Sequence, residues 1–484
     1  MAERKKINYL KLELGPFYFQ KLGEKYLLTN DIGNYVFLSE NDFEKLVSGE
    51  INKKSSLYKE LSKKNFISSK INFAQYINQY RERYHYLFQG PSLHIVVLTL
   101  RCNHRCVYCQ ASPKDLKEKH FDLNESTAKK IVDFIFSTPS PFITIEFQGG
   151  EPFLNWETLK FIVKYALTVN KIQKRNLLLT VVSNLTLLDD QKIKFLLDHK
   201  VSVATSLDGP ENVHNFNRRF LSGNSYRAVV LGIKKLQKAY KKRPSIQRNF
   251  VNAIMTTTSY SLKYPKEIVN EYLKLNFNNI FLRPLSPFGL AKKIWRKIGY
   301  SPEEYLKFYK EALDYIIKLN LKGKKFWERT AVIFLKKILT KKDPNFLDIR
   351  SPCGAGIGQL AYDYNGDIYT CDEGRMLAQM GDFSFKLGNV HEVKYHQVIN
   401  NPTIKIMALA SCLENLPMCA ECVFKPYCGI CPLFNYAHEG NLFSQIPNNL
   451  HCKINKGILE YLFERLTNSK IKSIFKKWVN EKNE

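Results

Sequence analysis

The chain has 484 residues, 44% of them hydrophobic and 24% charged, with a formal net charge of +28. This length indicates two or three domains and a large buried core. No apolar run approaches the ~20 residues that span a bilayer, and no apolar segment follows the basic residues 1–6, so neither a membrane protein nor a secretory signal is expected. We therefore expect a cytoplasmic protein.

The positive charge has two interpretations, a lysine-rich surface or attraction to an acidic partner such as an acidic peptide. The sequence contains no helix-turn-helix, zinc-finger or ribonucleoprotein signature. Nucleic acid is therefore not an expected partner.

Residues 1–90 are expected to form a small α+β unit. Strand-like runs at 17–19, 26–28 and 35–38 are separated by turn signals, and helical stretches follow from Ser39 and around 57–61.

Residues 91–300 alternate strands with amphipathic helices, which predicts an α/β fold with a parallel sheet curled into a partial (β/α)6 barrel. The expected strands are 95–98, 142–147, 177–182, 201–204, 250–254 and 279–282, and the expected helices are 125–137, 156–169, 189–199, 226–240 and 266–275. In such folds the chemistry lies at the C-terminal ends of the strands.

Three further segments complete the expected organisation. Residues 301–350 are expected to form a helical bridge, with helices at 303–319 and 326–339, and residues 351–455 form a cysteine-rich domain. Residues 456–484 resemble a basic amphipathic helix.

Eleven cysteines fall into two fields, three within 102–109, which reads CNHRCVYC, and eight between 353 and 452. Such bunching in an intracellular protein predicts metal ligands rather than disulfides. Three thiolates at this spacing can hold a cubane iron–sulfur cluster and leave one iron open to a small molecule. The alternative is a zinc site with His104 as the fourth ligand.

The spacing of Cys102, Cys106 and Cys109, with an aromatic residue before the last, resembles the signature of the radical S-adenosylmethionine superfamily. Motifs that follow successive predicted strands strengthen the resemblance: GGEP at 149–152, Ser-Asn at 183–184, SLDGP at 206–210, and His214 with Arg218 in a His-x-x-x-Arg pattern. The family usually has Gly after the Ser-Asn pair, whereas this chain has Leu185.

This resemblance implies both a cofactor site and a reaction. The implied cofactor-binding residues are Tyr108, Gly149, Gly150, Glu151, Ser183, Asn184, Ser206 and Arg218, of which Ser206 and Arg218 hold the carboxylate of S-adenosylmethionine. A reduced 4Fe–4S cluster would cleave that cofactor to a 5′-deoxyadenosyl radical, which abstracts hydrogen from the substrate.

The second field resembles the SPASM extension of radical enzymes that modify peptides and proteins. That resemblance implies one auxiliary 4Fe–4S cluster on Cys419, Cys422, Cys428 and Cys452, and another to which Cys353, Cys371 and Cys431 contribute. Two residues separate Cys428 from Cys431, where the family usually has three.

Two residues of this field and the metal itself keep alternative interpretations. Cys412 is either the fourth ligand of the second auxiliary cluster or a plain buried thiol. Asp372 matches a general base of sulfatase-maturing relatives, or is a hydrogen-bonded structural residue. Paired Cys-x-x-Cys units also occur in zinc sites.

Segments 102–112 and 419–437 most resemble the B-type radical maturase of the His-Xaa-Ser system. This resemblance implies a ribosomally made precursor peptide as substrate, a second radical maturase as partner, and a reductant such as flavodoxin or ferredoxin. The N-terminal unit resembles a leader-recognition domain, or is a cap on the barrel. The alternatives are a sulfatase-type or small-molecule radical oxidase, and a non-catalytic iron–sulfur or zinc protein.

Overall fold

A nine-stranded sheet forms the centre of the protein, and the computed structural model describes residues 14–243 and 251–480. The parts of our expectations that fall on residues 1–13, 244–250 and 481–484 lie outside the described residues. These include the basic start of the chain, the first residue of the strand expected at 250–254, and the end of the C-terminal helix.

The strands are short, as expected from the sequence pattern. In chain order they are β1 (Tyr18–Leu22), β2 (Lys25–Thr29), β3 (Tyr35–Leu38), β4 (Leu93–Thr99), β5 (His104–Cys106), β6 (Phe142–Gly149), β7 (Asn176–Val182), β8 (Val201–Ser206), β9 (Arg218–Phe220), β10 (Asn252–Thr256), β11 (Asn279–Ile280), β12 (Leu282–Arg283), β13 (Trp327–Glu328), β14 (Gln359–Tyr362), β15 (Asp367–Tyr369) and β16 (Lys386–Asn389).

The helices lie between these strands and over the outer face of the sheet. In chain order they are α1 (Glu40–Val47), α2 (Ser56–Lys63), α3 (Phe73–Arg83), α4 (Glu125–Phe136), α5 (Trp156–Gln173), α6 (Asp190–Asp198), α7 (Glu211–Asn217), α8 (Ser225–Lys241), α9 (Pro265–Lys274), α10 (Gly289–Lys293), α11 (Trp295–Ile298), α12 (Pro302–Leu321), α13 (Arg329–Leu339), α14 (Asp372–Ala378), α15 (Tyr395–Ile399), α16 (Pro402–Leu409), α17 (Pro432–Glu439), α18 (Leu450–Leu466) and α19 (Ser469–Asn480). In these described ranges, no helix combines the length and apolar character needed to cross a membrane.

The expected partial (β/α)6 barrel is confirmed. Strands β4, β6, β7, β8, β10 and β12 are neighbours in this order and pair in parallel, with helical crossovers between them. The sixth strand differs from the expectation for 279–282. The chain bends at Phe281, so that β11 pairs with β13 while β12 continues the barrel.

The cysteine-rich region continues the barrel sheet, which the sequence did not indicate. Strand β14 pairs in parallel with β4, for example Ala361 opposite Ile95, and β15 and β16 follow antiparallel. The auxiliary region and the barrel therefore share one hydrogen-bonded sheet.

The C-terminal segment consists of two helices rather than the one we expected over 456–484. The first, α18, begins at Leu450 and packs against α12. The Asn468 carboxamide accepts the backbone N–H groups of Lys470 and Ile471 and so starts a second helix, whose Trp478 is buried.

The N-terminal three-stranded sheet, in the order β1-β2-β3, rests on the loop between Cys422 and Cys428. The Thr29 hydroxyl donates to the Val423 carbonyl oxygen at 2.7 Å, and Lys425 Nζ lies 3.0 Å from an oxygen of Asp31. The Lys425 side chain is 8% exposed. The N-terminal unit therefore fixes a loop that carries two of the candidate auxiliary ligands.

Replacing Lys425 with Met is expected to destabilise the protein by about 1–3 kcal/mol, because Asp31 is left without its partner in a partly buried interface. Thermal unfolding of the reconstituted protein measures this change. The matched control is Lys21→Met, which removes an ion pair to Glu40 that is exposed on both sides and is expected to change nothing measurable. Equal effects of the two substitutions would contradict the prediction.

Candidate active site

The first cysteine cluster lies in the loop that follows β4, and a two-stranded ribbon holds this loop. Strand β5 pairs antiparallel with β9, which places Cys106 opposite Arg218. Cys102 and Cys106 are each 7% exposed. Arg218, the first residue of β9, is thus carried to the cluster loop by that strand.

The three thiols are buried together. The pKa of Cys106 is raised to about 12, because burial and, less strongly, the neighbouring Cys109 outweigh the opposing charge of Arg218. Burial and the other two cysteines likewise raise the pKa of Cys102. Thiols in such a place lose their protons only when a cation replaces them, which is the condition that an iron–sulfur cluster provides.

His104 is not available as a zinc ligand. One ring nitrogen is 2.9 Å from the Ser225 hydroxyl oxygen and the other is 3.0 Å from the side-chain nitrogen of Asn184. The ring also stacks on Phe220, and burial lowers the pKa of His104 to about 3. This removes the fourth ligand that the zinc alternative required in the first field. No set of three His, Cys, Asp or Glu side chains within the described residues is placed to hold a single metal ion.

The GGEP loop at the end of β6 packs directly against the backbone that leads to Cys102. Gly149 has a φ of +128°, and a Cβ on Gly150 would lie 2.1 Å from the Arg101 carbonyl oxygen. The N–H of Gly150 donates to the Thr99 oxygen, and that of Glu151 donates to the Arg101 oxygen, both at 2.8 Å. Only glycine allows this close approach.

Glu151 is fully buried and joins the GGEP loop to the loop after β7. Its carboxylate accepts hydrogen bonds from the Ser183 hydroxyl at 2.8 Å, the Asn184 N–H at 2.9 Å and the Phe153 N–H at 3.1 Å. Burial raises the pKa of Glu151, and these hydrogen bonds oppose the rise. Glu151 therefore positions Ser183 and Asn184.

Leu185, at the position where the family usually has Gly, has a φ of +63°. It therefore adopts the left-handed conformation that favours glycine. Its side chain is buried, and Gly232 of α8 leaves room for it, since a Cβ there would lie 2.7 Å from the Leu185 Cβ. The departure is thus accommodated without moving the loop.

A hydrogen-bonded chain connects Arg218 to the SLDGP loop after β8. Arg218 Nη1 donates to the Tyr108 hydroxyl oxygen at 2.9 Å, and that hydroxyl donates to Asp208 at 2.8 Å. Burial raises the pKa of Asp208 to about 6, and Arg218 opposes the rise. We had not singled out Asp208, although it lies within the SLDGP motif. Ser206 ends β8 and is half-buried.

The second cysteine field divides into two groups. Four thiols line one cavity of about 690 Å³, which we call the four-cysteine cavity. These thiols are those of Cys419, Cys422, Cys428 and Cys452. Burial raises the pKa of Cys419 to about 12 and that of Cys452 to about 11, with the neighbouring thiols adding to both. A set of four thiols, one buried and three half-buried, around one cavity fits the donor requirement of a cluster.

The other group, which we call the three-cysteine group, consists of Cys353, Cys371 and Cys431. Burial raises the pKa of Cys371 and of Cys431, the thiol of Cys353 adds to both rises, and that of Cys431 adds to the rise at Cys371. Cys412 does not join it, because its thiol donates to Glu414 at 3.3 Å, and its pKa is raised by burial and then by Glu414, not by another cysteine. The expectation that Cys412 supplies the fourth ligand therefore has no support in this arrangement.

Asp372, the candidate base, directly follows Cys371 and is the first residue of α14. Its Oδ1 accepts hydrogen bonds from Arg375, which is 1% exposed. The charge of Arg375 also opposes the rise that burial causes in the pKa of Cys109. Inside the barrel, burial raises the pKa of Glu146 in β6. The charge of Asp372 adds to this rise, and that of Arg283 opposes it. No recognisable sequence motif contains Arg283, Arg375 or Glu146. Only the three-dimensional arrangement identifies them as part of the site.

A cavity of about 770 Å³, which we call the substrate cavity, opens where β12 ends. Its walls are largely apolar, and its polar lining residues include Arg283, Asp348, Glu373, Cys431 and His451. Burial raises the pKa of Glu373 to about 7, with Asp348 and Asp372 adding to the rise. Burial also lowers the pKa of His451 to about 4. The cavity therefore lies between the barrel and the three-cysteine group.

Comparison with known proteins identifies the central domain. Residues 96–248 match the family model of the Radical SAM superfamily. The chain is 26% identical over 380 residues to the cysteine-type anaerobic sulfatase-maturating enzyme of Clostridium perfringens, which covers 76% of this chain and 95% of that enzyme. The superfamily's cofactors are a 4Fe–4S cluster and S-adenosylmethionine, and the buried thiols of the first cluster fit the former.

Two solved structures have a similar fold. Native anSMEcpe with bound AdoMet and Cp18Cys peptide has a TM-score of 0.64 at 21% identity, covering 79% of this chain and all of that one. Streptococcus suis SuiB bound to the precursor peptide SuiA has a TM-score of 0.50 at 15% identity, covering 89% and 98%. These likenesses extend beyond the barrel into the cysteine-rich region.

Proposed function

We propose that this protein, a radical S-adenosylmethionine enzyme, modifies a ribosomally made peptide, and that a His-Xaa-Ser repeat peptide is its substrate. When bound, the cluster and S-adenosylmethionine supply a 5′-deoxyadenosyl radical that abstracts hydrogen from the substrate. The proposed cluster ligands are Cys102, Cys106 and Cys109. The specific peptide follows from the family resemblance of segments 102–112 and 419–437.

The observation that carries this proposal is the substrate cavity. It lies at the C-terminal end of β12, where barrel enzymes bind substrates. Apolar walls with a few charged groups suit a peptide segment better than a small polar metabolite. Two similar folds were solved with peptides bound.

The residues of the chain have separate roles in this proposal. Gly149, Gly150 and Glu151 shape the cofactor loop, and Ser183, Asn184, Ser206, Tyr108 and Arg218 bind or position S-adenosylmethionine. Asp372, held by Arg375, accepts a substrate proton. The four-cysteine cavity and the three-cysteine group each hold an auxiliary cluster.

The N-terminal unit binds the leader of the peptide in this proposal. Its edge strands β1 and β3 present backbone groups to which an extended peptide can add as a strand. The chain's charge of +28 favours an acidic leader. A flavodoxin or ferredoxin supplies the electron, a second radical maturase acts on the same peptide, and the setting is the cytoplasm.

A sulfatase-type oxidation of Cys or Ser is the second candidate. The match to the Clostridium perfringens enzyme, which covers 95% of that relative, favours it. Asp372 would serve as the base in this reaction too.

The deciding experiment is anaerobic. Reconstituted protein is incubated with dithionite, S-adenosylmethionine and one of three peptides: a His-Xaa-Ser repeat peptide with its leader, the same peptide without the leader, or a Cys-containing sulfatase peptide. We expect 5′-deoxyadenosine and a mass change only in the first peptide. Modification of the sulfatase peptide alone would instead establish the second candidate, and cleavage of the cofactor without any peptide modification would contradict both.

Replacing Arg218 with Lys is expected to weaken S-adenosylmethionine binding about tenfold, because Lys cannot provide the paired N–H groups of a guanidinium. Equilibrium dialysis with the reconstituted protein measures the affinity, and iron content shows whether the cluster remains. The neighbouring Arg219 is exposed on the same strand, and Arg219→Lys is the control. Unchanged affinity in Arg218→Lys would remove this residue from the cofactor site.

A further inference from the structure

The three-cysteine group lacks a fourth thiol. A 4Fe–4S cluster has four irons and normally has four protein ligands. Cys353 and Cys371 are 5% and 2% exposed, and Cys431 lies at the start of α17, where its sulfur accepts the Phe434 N–H. The remaining cysteine of this region, Cys412, is bonded to Glu414 instead. A fourth protein ligand of this cluster would therefore have to be a non-thiol side chain.

Glu373 is placed to complete it. It lies in the first turn of α14, two residues after Cys371, and it lines the substrate cavity together with Cys431. Its charge acts on the thiols of Cys353, Cys371 and Cys431 alike. The charge of Asp348, by contrast, acts on Cys353 and Cys431 only, so Glu373 is the carboxylate that the cavity shares with all three thiols.

Two other side chains of the cavity are less suited. Asp348 forms an ion pair with Arg283, with 3.6 Å between the carboxylate oxygen and the guanidinium nitrogen. His451 is packed edge-on against Phe434, with ring centroids 5.3 Å apart, and precedes Cys452 of the four-cysteine cavity on α18. Glu373 alone among the three follows a cysteine of the group on the same element.

We propose that the carboxylate of Glu373 is the fourth protein ligand of the cluster held by Cys353, Cys371 and Cys431. The inference rests on the proposed auxiliary cluster, but not on the identity of the substrate. A carboxylate is a harder ligand than a thiolate and holds iron less firmly. The iron bound by Glu373 would face the substrate cavity.

The test uses the full chain with Cys102, Cys106 and Cys109 replaced by Ala, so that only auxiliary iron is bound. Glu373→Gln, Glu373→Cys and the control Glu421→Gln are made in this background. Glu421 is an exposed carboxylate between Cys419 and Cys422. Iron content and electron paramagnetic resonance spectra are recorded before and after mild oxidation with ferricyanide, and after addition of 2-mercaptoethanol to the reduced protein.

We expect Glu373→Gln to lose about one iron per protein on oxidation, to give the spectrum of a three-iron cluster, and to change its reduced spectrum when thiol is added. Glu373→Cys should resist oxidation at least as well as the parent, and Glu421→Gln should behave as the parent does. Identical behaviour of Glu373→Gln and the parent would overturn the assignment. Absence of auxiliary iron from the parent would overturn it too, together with the proposed clusters, whereas a failed peptide assay would leave this result untouched.

Discussion

Replacement of Cys102, Cys106 and Cys109 together by Ala is expected to abolish cleavage of S-adenosylmethionine and to leave the auxiliary iron in place. The three thiols share one buried site, and the auxiliary thiols lie in separate groups. The anaerobically reconstituted protein should therefore fall from about twelve irons to about eight, with no 5′-deoxyadenosine formed in the presence of dithionite. Iron analysis and chromatography of the nucleoside measure the two effects.

The control for this experiment is Cys412→Ala. Its thiol is half-buried and donates to Glu414, apart from all three groups. The variant should retain both its iron and its cleavage activity. Cleavage that survives the triple replacement would show that the catalytic cluster lies elsewhere, and loss of all iron would show that the auxiliary groups do not bind clusters independently.

Gly150→Ala is expected to have the second largest effect. The new methyl group would lie 2.1 Å from the Arg101 carbonyl oxygen, and backbone cannot move aside as a flexible side chain can. The GGEP loop and the strand leading to Cys102 must then separate. We expect a loss of about 1–3 kcal/mol of stability or more, with S-adenosylmethionine binding reduced below detection. Calorimetric titration and thermal unfolding of the reconstituted protein measure these changes.

Gly223→Ala is the matched control, because a Cβ there meets its nearest neighbour, a Phe220 ring carbon, at an ordinary 3.7 Å. Normal cofactor binding in Gly150→Ala would mean that the loop does not contact S-adenosylmethionine. A similar loss in Gly223→Ala would show that the whole region is merely sensitive to substitution.

The barrel was predictable from the sequence because each strand is a short apolar run followed by an amphipathic helix. A continuous apolar run gives way to a period of 3.6 residues at the junctions, and the motifs fall at the strand ends, as at Gly149 and Ser206. Local pattern is sufficient where a β-α unit buries its own apolar face. It also located all the thiols that the structure gathers into groups.

The features that were missed depend on contacts between distant parts of the chain. Strand β14 has only four residues and is defined by its pairing with β4, more than 260 residues earlier. The division of the last segment depends on the Asn468 cap, a single side chain within an otherwise helical pattern. The separation of Cys412 from the three-cysteine group depends on a neighbouring carboxylate, Glu414, that spacing alone does not reveal.

The pairing of β14 with β4 has a consequence for motion. Backbone hydrogen bonds across this pair join the strand before the first cysteine cluster to β14, whose other neighbour, β15, ends two residues before Cys371. A hinge between barrel and auxiliary region would have to break that ladder. The distances over which electrons travel are therefore fixed by the sheet, and we expect a peptide to enter by displacement of loops at the rim while the metal-bearing frame stays still.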